Sequence, residues 1–154
     1  MLEILSNTSF LVKVKNPILE TAIITYQNFN FEYATLREEA YLTNGERCPT
    51  SVNFVSNIKE DYLRRDFTCN ALYFNILTNK IIDNCNGKKD IENKILKTVR
   101  EANQTFCEDS LRILRLIRFS LELGFQIDEE TKNQAIQNSY LLLNLKGGAK
   151  LKEI

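Results

Sequence analysis

No histidine occurs anywhere in the chain, which removes Ser-His-Asp catalysis and the common zinc arrangements. The cysteines, Cys48, Cys69, Cys85 and Cys107, are far apart, with no C-x-x-C spacing, so they read as free thiols of a reducing cytosol rather than metal ligands or a disulfide framework. Glycine is scarce, at 5 residues, and forms no glycine-rich phosphate loop. No D-x-D pair sits at a strand end to hold Mg²⁺. Glu38-Glu39 is the nearest substitute and reads as loop or edge charge. No apolar run reaches the length of a membrane span, and Met1 to Lys15 lacks a signal-peptide pattern, so a cytoplasmic protein with no membrane partner is expected. Net charge is missing too. The 20 basic and 20 acidic residues cancel, leaving no global field to draw the chain onto nucleic acid.

What remains is an ordinary globular composition, 44% hydrophobic and 26% charged over 154 residues, enough for one domain or two small layers. Met1 to Lys15 is weakly patterned, and Asn16-Pro17 is a turn signal. β-Branched and aromatic residues at 20–25 and 29–36 around Gln27-Asn28 predict a hairpin. Residues 36–41 continue as strand or short helix, 43–49 form a loop, and 51–55 a strand. Ser56-Asn57 with Glu60 starts a short helix. Residues 73–77 and 80–83 predict a hairpin with the two-residue turn Thr78-Asn79, stopped by Asn86-Gly87. A short helix at 88–94 and a strand at 95–99 follow. Thr105 with Glu108 forms a capping box for one helix that runs to Gly124, and Asp128 caps another through Gln137. Leu141 to Leu145 begins an apolar segment before Gly147-Gly148. Strands before helices predict an α+β fold, with no internal repeat and no low-complexity tract.

Two polar constellations stand out. Arg64-Arg65-Asp66, with Asn70 after it, sets two guanidiniums beside a carboxylate that can orient them toward a phosphate or ribose; a solvated helix end with ordinary ion pairs explains the triplet alone better. In the second, Asp109 precedes Arg112, Arg115 and Arg118, which recur every third residue and are each turned about 60° from the last. Asp109 accepting from an exocyclic amine and Arg112 donating to ring atoms would read a base edge. Glu108–Arg112 and Arg118–Glu122, both at helix ion-pair spacing, account for the charges equally well. Between Lys88 and Arg118, eight basic residues meet five acidic ones, a local excess only.

Arg64-Arg-Asp-Phe-Thr-Cys-Asn-Ala-Leu72 and Glu108-Asp-Ser-Leu-Arg-Ile-Leu-Arg-Leu-Ile-Arg-Phe119 together resemble the R-R-D-F-T-x-N-A-L and E-D-x-x-R signatures of the class II tRNA nucleotidyltransferases, the CCA-adding enzymes, and of the related bacterial poly(A) polymerases. Phe31 to Arg37, Gly45-Glu-Arg47 and Phe125 to Glu130 are similar to the segments that flank these signatures. The resemblance implies an α+β fold, a partial polymerase-beta-like palm sheet followed by a helical neck, with head residues 1–87 and neck residues 88–154. It implies nucleotide binding by Arg64, Arg65, Asp66, Asn70, Glu108, Asp109, Arg112, Arg115 and Arg118, with Asp109 and Arg112 as a protein template for CTP and ATP. The implied partners are tRNA and nucleoside triphosphates. The implied cofactor is Mg²⁺, whose D-x-D ligands and the preceding G-G-x-V-R-D segment are absent from this sequence. The expectation is therefore a partial enzyme, inactive alone or completed by a complementing subunit. A poly(A) polymerase fragment and a non-catalytic RNA-binding module are the alternatives.

Overall fold

The computed structural model describes residues 10–46, 48–145 and 148; Arg47 and Gly147 lie outside the described residues. The chain is α+β, as expected. Strands β1 (Leu11–Asn16), β2 (Thr21–Tyr26) and β3 (Phe29–Ala34) form an antiparallel sheet in that order. The weak pattern before Asn16 concealed β1, whose residues alternate lysine with apolar side chains. Gln27-Asn28 makes the expected two-residue turn, with Gln27 at φ 52°.

Pairing register explains the composition of this sheet. Val12 faces Ile24, Val14 faces Ala22, Ile24 faces Phe31, Tyr26 faces Phe29 and Ala22 faces Tyr33. Directly paired residues share a face, so one face is wholly apolar or aromatic. Phe29 and Phe31 on that face are 65% and 54% exposed.

β4 (Arg37–Ala40) pairs antiparallel with β5 (Ser51–Phe54), which resolves residues 37–40 in favour of strand. Asn57 accepts from the Lys59 amide and caps α1 (Ile58–Asp61). A 3₁₀ turn at Tyr62–Arg64 carries the chain into a second at Thr68–Asn70. β6 (Leu72–Asn75) and β7 (Lys80–Asp83) form the second expected hairpin. Its loop, however, is four residues long. Asn75 Oδ1 accepts from the amides of Leu77 and Thr78 and closes the turn earlier than Thr78-Asn79 alone would.

α2 (Gly87–Glu92) leads to β8 (Ile95–Leu96), which pairs in parallel with β9 (Gln126–Ile127). α5 (Glu129–Gln137) begins where Asp128 accepts from the Thr131 amide, as expected, and a 3₁₀ stretch spans Ser139–Asn144. Between them lies a correction. The single helix expected from Thr105 to Gly124 is two helices, α3 (Ala102–Glu108) and α4 (Leu111–Leu123), separated by Asp109 at φ −146°, ψ 99°. Thr105 is interior to α3, and its hydroxyl donates to the Glu101 carbonyl rather than capping. The true start of α4 is marked by Asp109 itself, whose carboxylate accepts from the Leu111 amide at 3.0 Å. Gly124 ends α4 at φ 64°, as expected.

Phe67, Leu96, Ala102, Phe106, Ile113, Leu116 and Ala135 form the buried core, with Phe119, Phe125 and Ile127 packed against it. Phe67, from the first signature, meets Phe119, from the second, edge to face at 6.0 Å between ring centroids. A short antiparallel contact, Thr68 N to Lys97 O at 2.9 Å and Val99 N to Asp66 O at 3.1 Å, fixes the backbone on either side of Phe67. Among the described residues no helix is long and apolar enough to cross a membrane.

Gly87 is where this packing tolerates least. A Cβ there would lie 2.2 Å from the Thr68 carbonyl oxygen, so Gly87→Ala must push α2 off the 3₁₀ turn that follows Phe67. The expected cost is about 2–3 kcal/mol, measured as a lower urea midpoint with an unchanged slope. A midpoint equal to that of the wild type would show that α2 and this turn are not packed as described.

Candidate functional site

A cleft of about 580 Å³ opens where the 3₁₀ turn at Tyr62–Arg64, strand β4 and the start of α4 meet. Arg64, Arg65, Asp66, Asn70, Asp109, Arg112 and Arg115 line it, so most of the sequence-predicted residues from both signatures are brought together. Leu19, Arg37, Glu39, Tyr41, Pro49, Leu111 and Phe119 complete the wall.

Glu108 and Arg118 lie outside the lining. Glu108 is buried and accepts from Arg100 Nη1 at 3.1 Å and Gln104 Nε2 at 3.0 Å, while Arg112 Nη1 stands 3.6 Å away. Its role in the structure is to hold guanidiniums rather than to face the cleft. Arg118 is carried round α4 to sit over the Phe119 ring at 4.5 Å and 3.4 Å from Glu122. The expected Glu108–Arg112 and Arg118–Glu122 pairs both form.

Asp66 is the junction of the two signatures. Its Oδ1 accepts from its neighbour Phe67 N at 2.8 Å and from Asn70 Nδ2 at 3.2 Å, and its Oδ2 accepts from Arg115 Nε at 2.7 Å. Arg115 also lies over the Phe119 ring at 5.0 Å. Arg112 makes a second link: Nη2 donates to the Arg64 carbonyl at 3.0 Å and Nη1 to the Thr105 carbonyl at 3.3 Å, with the Tyr41 ring 5.7 Å from its guanidinium carbon. The break in the helix is sealed from outside. Ser110 Oγ donates to the Gly45 carbonyl at 2.9 Å, and the Gly45 amide donates to the Cys107 carbonyl at 2.6 Å. Gly45 has φ 78°, and a Cβ on it would sit 3.0 Å from Leu141 Cβ, which explains glycine at this point. Asp109 is thereby turned out of helical geometry at the mouth of the cleft.

Two carboxylates escaped the sequence reading. Glu39 does not behave as loop or edge charge: its side chain is 7% exposed and takes bonds from Arg37 Nε at 2.6 Å and from the Tyr41 hydroxyl, with Arg64 Nη1 at 3.9 Å. Residues 37, 39 and 41 alternate along one face of β4 and its continuation, the period-2 signal that could have found them. Glu38, on the other face, is exposed. Asp61 is fully buried; its Oδ1 accepts from the Arg37 amide at 2.9 Å and Arg64 Nε at 2.8 Å, and its Oδ2 from Arg65 Nη2 at 2.9 Å and the Tyr73 hydroxyl at 2.6 Å. Its spacing of three and four residues before Arg64 and Arg65 was the available signal.

These bonds set the electrostatics. Burial pushes the Asp61 carboxyl up, but Tyr73, the Arg37 amide and Arg64 more than offset it and bring it down to about 2. Glu39 is likewise raised by burial and lowered further by Tyr41 and Arg37, ending below the usual carboxylate range. Tyr73 is pushed up to about 12, first by burial and then by donating to Asp61. Burial also lifts the Cys69 thiol to about 11, an unreactive value. All four cysteines are free.

A carboxyl whose folded value lies below its ordinary 3.8 adds stability that is complete above that value and is lost as pH falls toward about 2. The Asp61 contribution, about 2 kcal/mol at neutral pH, should therefore fade between roughly pH 4 and pH 2. Urea unfolding of the wild type and Asp61→Asn across that range should show two stabilities that converge in acid. A constant difference would mean that the charge of Asp61 is not what its partners hold.

The poly A polymerase head domain family matches residues 2–97. The CCA-adding enzyme of Geobacillus sp. (strain WCH70) is 39% identical over 125 residues, covering 81% of this chain and 30% of that protein. That of Bacillus subtilis (strain 168) is 37% identical over 122 residues, 79% of this chain and 30% of its own length. The chain thus spans about 30% of the curated relatives it matches. Among solved structures, the Bacillus stearothermophilus CCA-adding enzyme in complex with CTP aligns with a TM-score of 0.82 and 31% identity, over 93% of this chain and 33% of that one. A tRNA nucleotidyltransferase complexed with a primer tRNA and an incoming ATP analog aligns at 0.73 with 28% identity, over 98% and 41%. With both signatures converging on one cleft and a family match over more than half its length, the chain belongs to the poly A polymerase head domain family.

Proposed function

We propose that this chain is the nucleotide-selecting part of a CCA-adding tRNA nucleotidyltransferase, with head residues 1–87 and neck residues 88–154. The observation that carries this reading is the convergence of Asp109 and Arg112 with Arg64, Arg65 and Asp66 on a single cleft. In it, Asp109 and Arg112 address the base of CTP or ATP, since a carboxylate accepts from an exocyclic amine and a guanidinium donates to ring nitrogen or carbonyl oxygen, with Arg112 exchanging its bonds to the Thr105 and Arg64 carbonyls for the base. Arg64, Arg65, Asp66, Asn70 and Arg115 face ribose and phosphates, and Glu108 and Arg118 act from behind the wall. Relatives solved with CTP, and with a primer tRNA and an ATP analog, support these ligands. The setting in this reading is the cytoplasm, whose reducing conditions suit four free cysteines.

Mg²⁺ is implied by the family, and the carboxylates described here do not fit it. Among the described residues no three His, Cys, Asp or Glu groups come together as a cage. Glu39, Asp61, Asp66 and Glu108 are each held by arginine. No catalytic step is assigned to this chain's residues. A second reading, that the carboxylates come from a complementing subunit, is favoured by the apolar face of the β1–β3 sheet, where Phe29 and Phe31 stand exposed. Addition of poly(A) rather than CCA is the alternative carried by the same two signatures.

Titration calorimetry with CTP and ATP tests the template. Asp109→Ala should weaken both by about 1–3 kcal/mol, roughly five- to 150-fold. Wild-type protein that folds and binds neither nucleotide, or an Asp109→Ala variant that binds like wild type, would remove the templating role. Incubated with a tRNA primer, CTP, ATP and Mg²⁺, the chain alone should add no nucleotide, and robust extension would show that its own residues complete the catalytic centre.

A further inference from the structure

Asp61 is fully buried and no wall of the cleft, yet it binds two guanidiniums that are. A carboxylate offers about four lone-pair sites, and here five donors crowd onto it: the Arg37 amide and Arg64 Nε on Oδ1, and Arg65 Nε and Nη2 with the Tyr73 hydroxyl on Oδ2. The ionised carboxylate is stabilising relative to its protonated form, yet apolar side chains of the same shape often hold a core as well as a buried ion pair does. Its worth lies in geometry. Arg64 and Arg65 are adjacent in sequence and alike in charge, so side by side they repel each other and spread. One shared carboxylate at the end of α1, three and four residues earlier, converges them.

The backbone is fixed as well. Arg65 N donates to the Tyr62 carbonyl at 3.0 Å, closing the 3₁₀ turn, and Arg112 Nη2 holds the Arg64 carbonyl. The Arg65 guanidinium lies 5.6 Å from the centroid of the Tyr73 ring, whose hydroxyl reaches the same Asp61 oxygen. Arg64 gives Asp61 its Nε, and Arg65 its Nε and Nη2, which fixes each planar fork in the wall of the cleft that both residues line.

We propose that Asp61, seconded by Tyr73, is a positioning residue that presents Arg64 and Arg65 as one preset clamp for the phosphates of the incoming nucleotide. This rests on the nucleotide-binding reading given above and goes past it in naming what sets the clamp. Preorganisation of this sort raises affinity by sparing the ordering of two long side chains on binding. Because the clamp touches no base, it should serve every nucleotide alike.

The test is calorimetry of CTP, ATP and inorganic triphosphate against the full chain and Asp61→Asn, which keeps the shape and removes the charge. All three affinities should fall at least tenfold and by the same factor, leaving the CTP-to-ATP ratio unchanged. Tyr73→Phe, which removes one bond to Asp61, should give a smaller uniform loss, and it carries the test if Asp61→Asn does not fold. Wild-type affinities in a folded Asp61→Asn, or a loss confined to one base with triphosphate unaffected, overturn the proposal. NMR of the arginine Nε–H groups supplies an independent readout: the Arg64 and Arg65 signals should be slow to exchange in the wild type and fast in Asp61→Asn. If the wild type binds none of the three ligands, the nucleotide reading itself fails. In that case unchanged Nε–H exchange in Asp61→Asn would separately show that Asp61 does not hold the pair.

Discussion

Arginine meeting a buried carboxylate is the interaction on which this molecule depends. Arg37 and Arg64 meet Glu39, Arg64 and Arg65 meet Asp61, Arg115 meets Asp66, and Arg100 and Arg112 meet Glu108. Arg64 ties its 3₁₀ turn to β4 through Glu39, Arg115 ties α4 to Asp66, and Arg112 ties α4 to α3 through Glu108, so the walls of the cleft are stapled together by the groups that give it its chemistry. A site built this way is rich in donors without carrying a large field. That agrees with the zero net charge of the chain and leaves recognition to short-range geometry rather than to long-range steering.

The interrupted helix is the second constraint. A continuous helix through residues 105–124 would project Asp109 on the same helical surface as Arg112, one turn apart. With Asp109 extended and its carboxylate on the Leu111 amide, the acid becomes the cap of α4 while Arg112 sits in the first turn, its guanidinium directed at the Arg64 and Thr105 carbonyls. Acid and arginine are therefore neighbours across a bend, and a bend can be placed against a third element in a way that a helix surface cannot. The loop at Gly45 is that element.

Much of this was legible in the residues. Alternation and turn chemistry exposed the β2–β3 and β6–β7 hairpins, Asn57 and Asp128 marked helix starts, and Gly124 marked a stop, because each of those signals is local. β1 was missed although Val12-Lys13-Val14-Lys15 alternates, because that signal lasts only four residues before the Asn16-Pro17 turn. The bend at Asp109 was missed because the apolar spacing from Phe106 to Leu121 satisfies one helix as well as two; what decides between them is Ser110, whose partner lies 65 residues away. The cleft followed the same division. The signature arginines and Asp66 declared themselves by density and order, whereas Glu39 and Asp61 each looked like one more surface acid, and only the tertiary partners reveal them as buried.

The Ser110–Gly45 hydrogen bond also says something about time. It closes a loop of 65 residues, and the entropy lost in closing so long a loop must be met before the bond returns anything. Helices α3 and α4 can each form from local contacts, but the bend between them is locked only when the loop at Gly45 is brought against it. The backbone around Asp109 is thus held by a residue from the first third of the chain, and its conformation is not a property of the local sequence.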